Sequence, residues 1–273
     1  MTELPVAASG STLLMIGTRK GLFLARSEDR ASWAIEGPAF AMNAVYAVAV
    51  DSRRETPRLL VGADSEHWGP SVFHSDDLGA TWKETEGGAL RFPAETGAAL
   101  TRAWQLQPAG ADQPDVVYAG VEPAALFRSD DGGATFSLVE GLWDHPHRPH
   151  WQPGGGGLCL HTVVPHPTDP DRMVVAVSAA GTYRTEDGGK SWQASNTGIH
   201  AWHEPDPHPE FGQCVHKIAR NPARPDEMFL QNHGGVYRSR DGGESWGEIH
   251  EGLPATFGFA MVTHPHTPGT AYA

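Results

Sequence analysis

Cysteine is scarce in this chain: only Cys159 and Cys214 occur among 273 residues. Two thiols cannot staple a small secreted scaffold, so the fold must rest on an apolar core, and both thiols are expected free in a reducing compartment. Long apolar runs are also missing, so no segment reads as a membrane span. Basic residues are few, with 20 Lys and Arg against 33 Asp and Glu and a formal net charge of −13. A surface of that sign repels phosphate backbones, which excludes nucleic acid as the expected partner. The opening stretch MTELPVAASGSTLL has neither the basic region nor the apolar region of a secretory leader, so the expected location is cytoplasmic. The run Gly154 to Gly157 lacks the Lys-Ser/Thr that completes a phosphate loop, and no cofactor is expected.

What the chain has instead is repetition. The box RSDDGGATF, Arg128 to Phe136, returns as HSDDLGATW from His74, RTEDGGKSW from Arg184 and RSRDGGESW from Arg238, with a shortened relative, RSEDRASW, from Arg26. Its Ser or Thr falls at 75, 129, 185 and 239, in steps of 54, 56 and 54 residues. A second pattern keeps step with the box: an alternating strand, a Pro-containing turn and a strongly apolar strand, as in HTVVPHPTDPDRMVVAV from His161. Each unit therefore holds four strands, A to D, with the box as the C–D turn. Four strands in about 50 residues make the blade of a β-propeller.

The expected fold is an all-β propeller, a single domain over 1–273. It has a partial first blade at 12–36, full blades near 43–86, 101–140, 159–195 and 214–250, and the start of another at 258–273. Six or seven blades would close the ring, so the chain is expected to stop within the sixth repeat. The box itself needs no chemistry. An Asp such as Asp131 accepts backbone amides, Gly133 supplies a positive φ and Phe136 enters the blade. The further oxygen ligands of a calcium loop, including the bidentate Glu of an EF-hand, are missing.

The pattern Ser/Thr-x-Asp-x-Gly-x-Ser/Thr-Trp/Phe resembles the Asp-box, or BNR repeat, of the sialidase-like β-propellers, over essentially the whole chain. The resemblance implies the propeller fold. For a sialidase it would also imply three arginines, a Tyr paired with Glu, an Asp and an early Arg-Ile-Pro motif. No Arg-Ile-Pro occurs, the early segment reading GTRKGLF, and no residue matches that catalytic set.

Propeller geometry places the boxes on one face and the B–C and D–A loops on the other, and the second face carries the interesting residues. LWDHPHRPHWQPGGGG from Leu142 and GIHAWHEPDPHPEFGQ from Gly198 are dense in His, Trp and acids, while the B–C turns supply His67, Trp68, Glu122 and His233. Counting six residues back from the A–B turn prolines aligns Arg102, His161, His216 and Phe259, with Tyr46 equivalent. The aligned set predicts a polar pocket at the propeller axis built on Arg102, His161 and His216, with Lys217, Glu122 and His233 as neighbours. Packed core histidines are the plainer alternative.

Two functions stay open. A glycoside hydrolase needs two facing carboxylates, for which Glu122, Glu204 and Glu210 are the catalytic candidates, with Trp68, Trp151 and Trp202 to stack on sugar rings. A non-catalytic platform would use the same face to bind a carbohydrate, another small molecule or a protein. Cys159, His161, Cys214 and His216 share two columns of neighbouring blades, the pattern of a tetrahedral metal site. Strand-borne pairs are unusual for such a site, however, and no metal is the expected outcome.

Overall fold

A computed structural model of the chain describes residues 10–85 and 88–273. Residues 1–9 of the opening stretch and the expected end of the second blade at 86 fall outside these. The described chain is nearly all β, in successive antiparallel meanders whose strands lie in chain order. The first sheet has three strands, β1 (Thr12–Thr18), β2 (Gly21–Ser27) and β3 (Ala34–Ala39). Four-stranded sheets follow. They are β4 (Ala44–Asp51), β5 (Arg58–Ser65), β6 (Gly69–Ser75) and β7 (Lys83–Glu84); then β8 (Arg102–Pro108), β9 (Val117–Glu122), β10 (Ala125–Ser129) and β11 (Ser137–Leu138). After a one-turn helix, α1 (Glu140–Trp143), come β12 (Cys159–Pro165), β13 (Met173–Ser178), β14 (Gly181–Thr185) and β15 (Gln193–Ala194). The last full sheet is β16 (Val215–Asn221), β17 (Arg224–Asn232), β18 (Gly235–Ser239) and β19 (Gly247–Glu248), followed by the short pair β20 (Val262–Thr263) and β21 (Ala271–Tyr272). These blades are the β-propeller class expected from the repeats. Among the described residues no helix is long and apolar enough to cross a membrane.

The described residues group into two compact units. One takes the chain up to Pro108 with Pro114–Ala119 and Phe127–Ser137, and the other takes Ala109–Gln113, Gly120–Leu126 and Leu138–Ala273. In the first, Leu22, Leu24, Val45, Val61 and Ala63 form a buried cluster, with Phe40, Phe73 and Trp82 packed on it. In the second, Val164, Val174, Ile199, Ile218, Met228 and Trp246 belong to one core cluster. The second strand of each blade explains why its sequence is apolar without alternation: in β13, Met173 to Val177 are all buried, because both faces of the strand meet protein.

Each box is a side-chain-stapled turn. Ser239 Oγ donates to Asp241 Oδ1 at 2.7 Å and accepts the Gly243 amide at 2.8 Å. Asp241 Oδ1 also accepts the amides of Glu244 and Ser245 at 3.0 Å, and the Ser245 hydroxyl reaches Oδ2 at 2.5 Å. The same bonds recur around Asp77, Asp131 and Asp187. In the RSEDRASW copy Asp29 accepts the Ala31 and Ser32 amides, which hold its pKa down to about 2. Gly243 needs to be glycine, since its φ is +92° and a Cβ would lie 2.7 Å from Met228 Cε. The turn then delivers Trp246, buried, whose indole donates to the Ser195 carbonyl of the preceding sheet at 2.9 Å.

Two substitutions test this staple. Asp241→Ala should lower unfolding stability by about 1–2 kcal/mol, as the loss of a capping side chain does. Gly243→Ala should cost at least as much, because both backbone conformation and space oppose a methyl group. Urea unfolding followed by tryptophan fluorescence reads both.

Candidate functional site

At the end of the β16–β19 sheet opposite its box, Val215 pairs with Asn232 and Asn232 with Gly235, so the start of β16 lies beside the β17–β18 turn. The His233 amide closes this corner by donating to the Cys214 carbonyl at 2.9 Å. His216 is the extra residue of a β-bulge: the pairing with β17 skips from Val215 to Lys217. The aligned positions repeat this irregularity, with His161 skipped between Leu160 and Thr162, and Tyr46 between Val45 and Ala47. A bulge turns its extra side chain out of the ladder's alternation and leaves it unpaired, which explains why polar residues occupy the strand A column.

The bulged residues nevertheless do different things. His161 Nε2 donates to the Val215 carbonyl at 3.0 Å, and its Nδ1 accepts the Thr162 hydroxyl at 2.9 Å. Both ring nitrogens are thereby used, so His161 ties β12 to β16 and has no lone pair for a metal. Burial first, then the Lys217 and His216 charges, push its pKa down from 6.5 to about 3. Lys217 is itself held below the usual ammonium range by burial.

His216 is placed otherwise. Its Nδ1 donates to the Gly258 carbonyl at 2.5 Å, and its Nε2 faces Cys214 Sγ at 3.6 Å. The ring stacks on Phe259 with centroids 4.6 Å apart and meets His233 and Phe257 edge-on, each at 5.5 Å. Cys214, His216 and His233 present ligand atoms that all lie within 4.8 Å of one another. Burial raises the Cys214 thiol pKa, against a smaller lowering by the Ser178 hydroxyl. Cys159 is buried in β12, both cysteines are free, and the metal-compatible group holds His233 in place of Cys159 and His161.

The aromatic and acidic candidates separate as well. Trp202 is 55% exposed, lies beside His200 at 4.3 Å between ring centroids, and sits over Gly234, where a Cβ would displace the indole. Trp151 is 5% exposed and donates to the Tyr183 hydroxyl at 2.7 Å, so it is a core anchor and cannot stack on a sugar ring. Tyr183 is the centre the sequence reading missed. His145 and His147 meet its ring edge-on, Trp151 tilts against it, and burial raises its phenol pKa well above the usual range.

Glu204 is exposed beside Gly212, and Glu210 is exposed with a carboxylate oxygen 3.8 Å from His147 Nε2. Glu122, half-buried at the end of β9, packs its carboxylate against Gly157. In the first unit, Arg102 lies over the Tyr46 ring at 4.2 Å, with Asp64 at 3.6 Å, while Trp68 is 88% exposed and meets His67 edge-on. An open cleft of about 800 Å³ lies at the box end of the second unit, between Glu140, Asp144 and His145 on one side and Lys190, Ser191 and Trp192 on the other.

The setting of His161, half-buried with both ring nitrogens bonded, has a measurable consequence. A folded-state pKa below 6.5 means that stability is whole above that pH and is lost as pH falls from there towards 3. His161→Gln keeps a donor for the Val215 carbonyl and removes the titration. Its urea midpoint should therefore fall less than the parent's between about pH 7 and about pH 5.

No protein-family model matches the chain, and no curated protein matches it. Among solved structures it is similar to the GH74 xyloglucanase from Xanthomonas campestris, at 20% identity and TM-score 0.59, over 89% of this chain and 37% of that one. An ancestral GH74 enzyme matches at 17% identity and TM-score 0.51, over 75% of this chain and 24% of that one. The extracellular domain of a putative one component system from B. thetaiotaomicron matches at 11% identity and TM-score 0.52, over 92% and 29% of the two chains. The chain spans well under half the length of each. At such identities the likeness is one of fold, and the fold it shares is the β-propeller.

Proposed function

We propose that this chain is a carbohydrate-recognition propeller, related through its boxes to the sialidase-like repeat proteins and binding a neutral sugar through the loop 198–213. The observation that carries the reading is Trp202: a large indole, more than half exposed, backed by Gly234 and flanked by His200, His203 and Glu204. An exposed ring held from behind offers an apolar platform to the face of a pyranose, while neighbouring imidazoles and carboxylates serve its hydroxyls. The same loop contains three acids and no Lys or Arg, which disfavours an anionic sugar such as sialic acid.

Binding is favoured over cleavage because a catalytic acid is usually set in a buried site, whereas Glu204 and Glu210 stand in solvent, and the half-buried Glu122 packs its carboxylate against Gly157. The similarity to GH74 enzymes makes xyloglucan oligosaccharides a natural first probe, beside cello-oligosaccharides and sialyllactose.

In calorimetric titration, neutral oligosaccharides should bind and sialyllactose should not. Trp202→Ala should weaken binding by about tenfold, the worth of one aromatic stack, with the unfolding midpoint unchanged. Steady release of shortened oligosaccharides that stops in Glu204→Gln would overturn the recognition reading in favour of hydrolysis. Absence of binding by any neutral probe would remove the carbohydrate assignment.

A further inference from the structure

We propose that Cys214, His216 and His233 form a binding site for a borderline-soft divalent cation, with zinc as the type. The site is independent of the sugar-binding reading.

The three donors come within 4.8 Å of one another from three separately fixed positions: the residue before β16, the bulged residue of β16, and the β17–β18 turn. The amide-to-carbonyl bond from His233 to Cys214 locks the turn against the strand. The chemistry of the set is selective. Thiolate and imidazole suit zinc and related transition metals, whereas calcium and magnesium require oxygen ligands.

His216 is prepared for ligation. A carbonyl oxygen only accepts, so the 2.5 Å contact with Gly258 places the ring proton on Nδ1 and leaves the Nε2 lone pair directed at Cys214. A backbone carbonyl holding the remote nitrogen is the usual outer support of a metal-bound histidine. The distance agrees too. With metal bonds of about 2.3 Å to sulfur and about 2.0–2.1 Å to nitrogen at a tetrahedral angle, the two ligand atoms stand about 3.6 Å apart. Cys214 Sγ and His216 Nε2 are separated by 3.6 Å.

Phe257 and Phe259 flank the His216 ring, and an apolar wall strengthens the attraction between thiolate and cation. Three protein ligands leave a fourth position for water or for an incoming donor, as in zinc sites that act on ligands. The ring of His203 stands edge-on to His233 with centroids 4.8 Å apart, a further imidazole within the same corner. On binding, the Cys214 Sγ–H bond breaks, sulfur keeps the electron pair for the metal, and the proton goes to solvent.

The test uses the full chain, reduced and stripped of metal. Titration with cobalt(II) should give a thiolate-to-metal charge-transfer absorption and the intense visible bands of tetrahedral coordination, saturating at about one equivalent, and zinc should then bleach them. Cys214→Ser should abolish the charge-transfer band, and His216→Ala and His233→Ala should each weaken zinc binding by more than about tenfold. Cys159→Ser should leave the spectrum and the affinity unchanged. If Cys214→Ser fails to fold, the wild-type spectrum and His233→Ala, at the turn, still decide. A cobalt complex without thiolate absorption, a spectrum lost in Cys159→Ser instead, or zinc affinity untouched by His233→Ala would overturn the assignment.

Discussion

The carboxylate of the box converts a surface turn into a fixed point. Asp241 gathers two amides and two hydroxyls, and the turn it closes aims Trp246 into the gap beside the preceding sheet, where the indole donates to the Ser195 carbonyl. Ser195 answers in the other direction, its hydroxyl donating to the Gly243 carbonyl. A four-stranded meander is narrow, its last strand here is only two residues long, and its backbone link to the neighbour is an isolated bridge between Thr197 and Ser245, with the Trp246 amide donating to the Thr197 carbonyl. The box supplies that attachment. At the opposite end of the sheet, long, polar, histidine-rich loops are tolerated, held there by contacts such as His161 to the Val215 carbonyl and Trp151 to the Tyr183 hydroxyl.

The strand A bulge gives that end its variety. In each bulge one residue drops out of the ladder, and its side chain is directed by local partners rather than by alternation. His161 spends both nitrogens on its own blade and the next, and becomes a brace. His216, in the same column one sheet later, spends one nitrogen and keeps the other facing a thiol. Tyr46 offers its ring to the Arg102 guanidinium. One backbone irregularity therefore yields a brace, a ligand-ready imidazole and a cation–π clasp, depending only on what stands beside it.

This difference marks the boundary of what the residues reveal by themselves. The propeller was legible because box and apolar strand recur in step, and repetition averages out local ambiguity. The column Arg102, His161 and His216 was legible as a column. What each member does was not, because the deciding partners are the carbonyls of Val215 and Gly258, and backbone groups look alike in every sequence. Trp151 and Trp202 show the same limit. Both lie in polar loops rich in His and Pro, yet one finds the Tyr183 hydroxyl and is buried, while the other finds Gly234 and remains in solvent. His233 joined Cys214 and His216 through a turn, a proximity that depends on strand register.

The link between Trp246 and Ser195 is reciprocal: the later blade's indole donates to the Ser195 carbonyl, and the Ser195 hydroxyl donates to the Gly243 carbonyl of the later box. The neighbouring box does otherwise: the Trp192 indole donates to the Gly189 carbonyl of its own turn. Ser195 and Trp246 stand 51 residues apart in the chain, so the edge of the β12–β15 sheet is completed by a contact of long sequence separation, whose loop-closure entropy a turn within one blade does not carry.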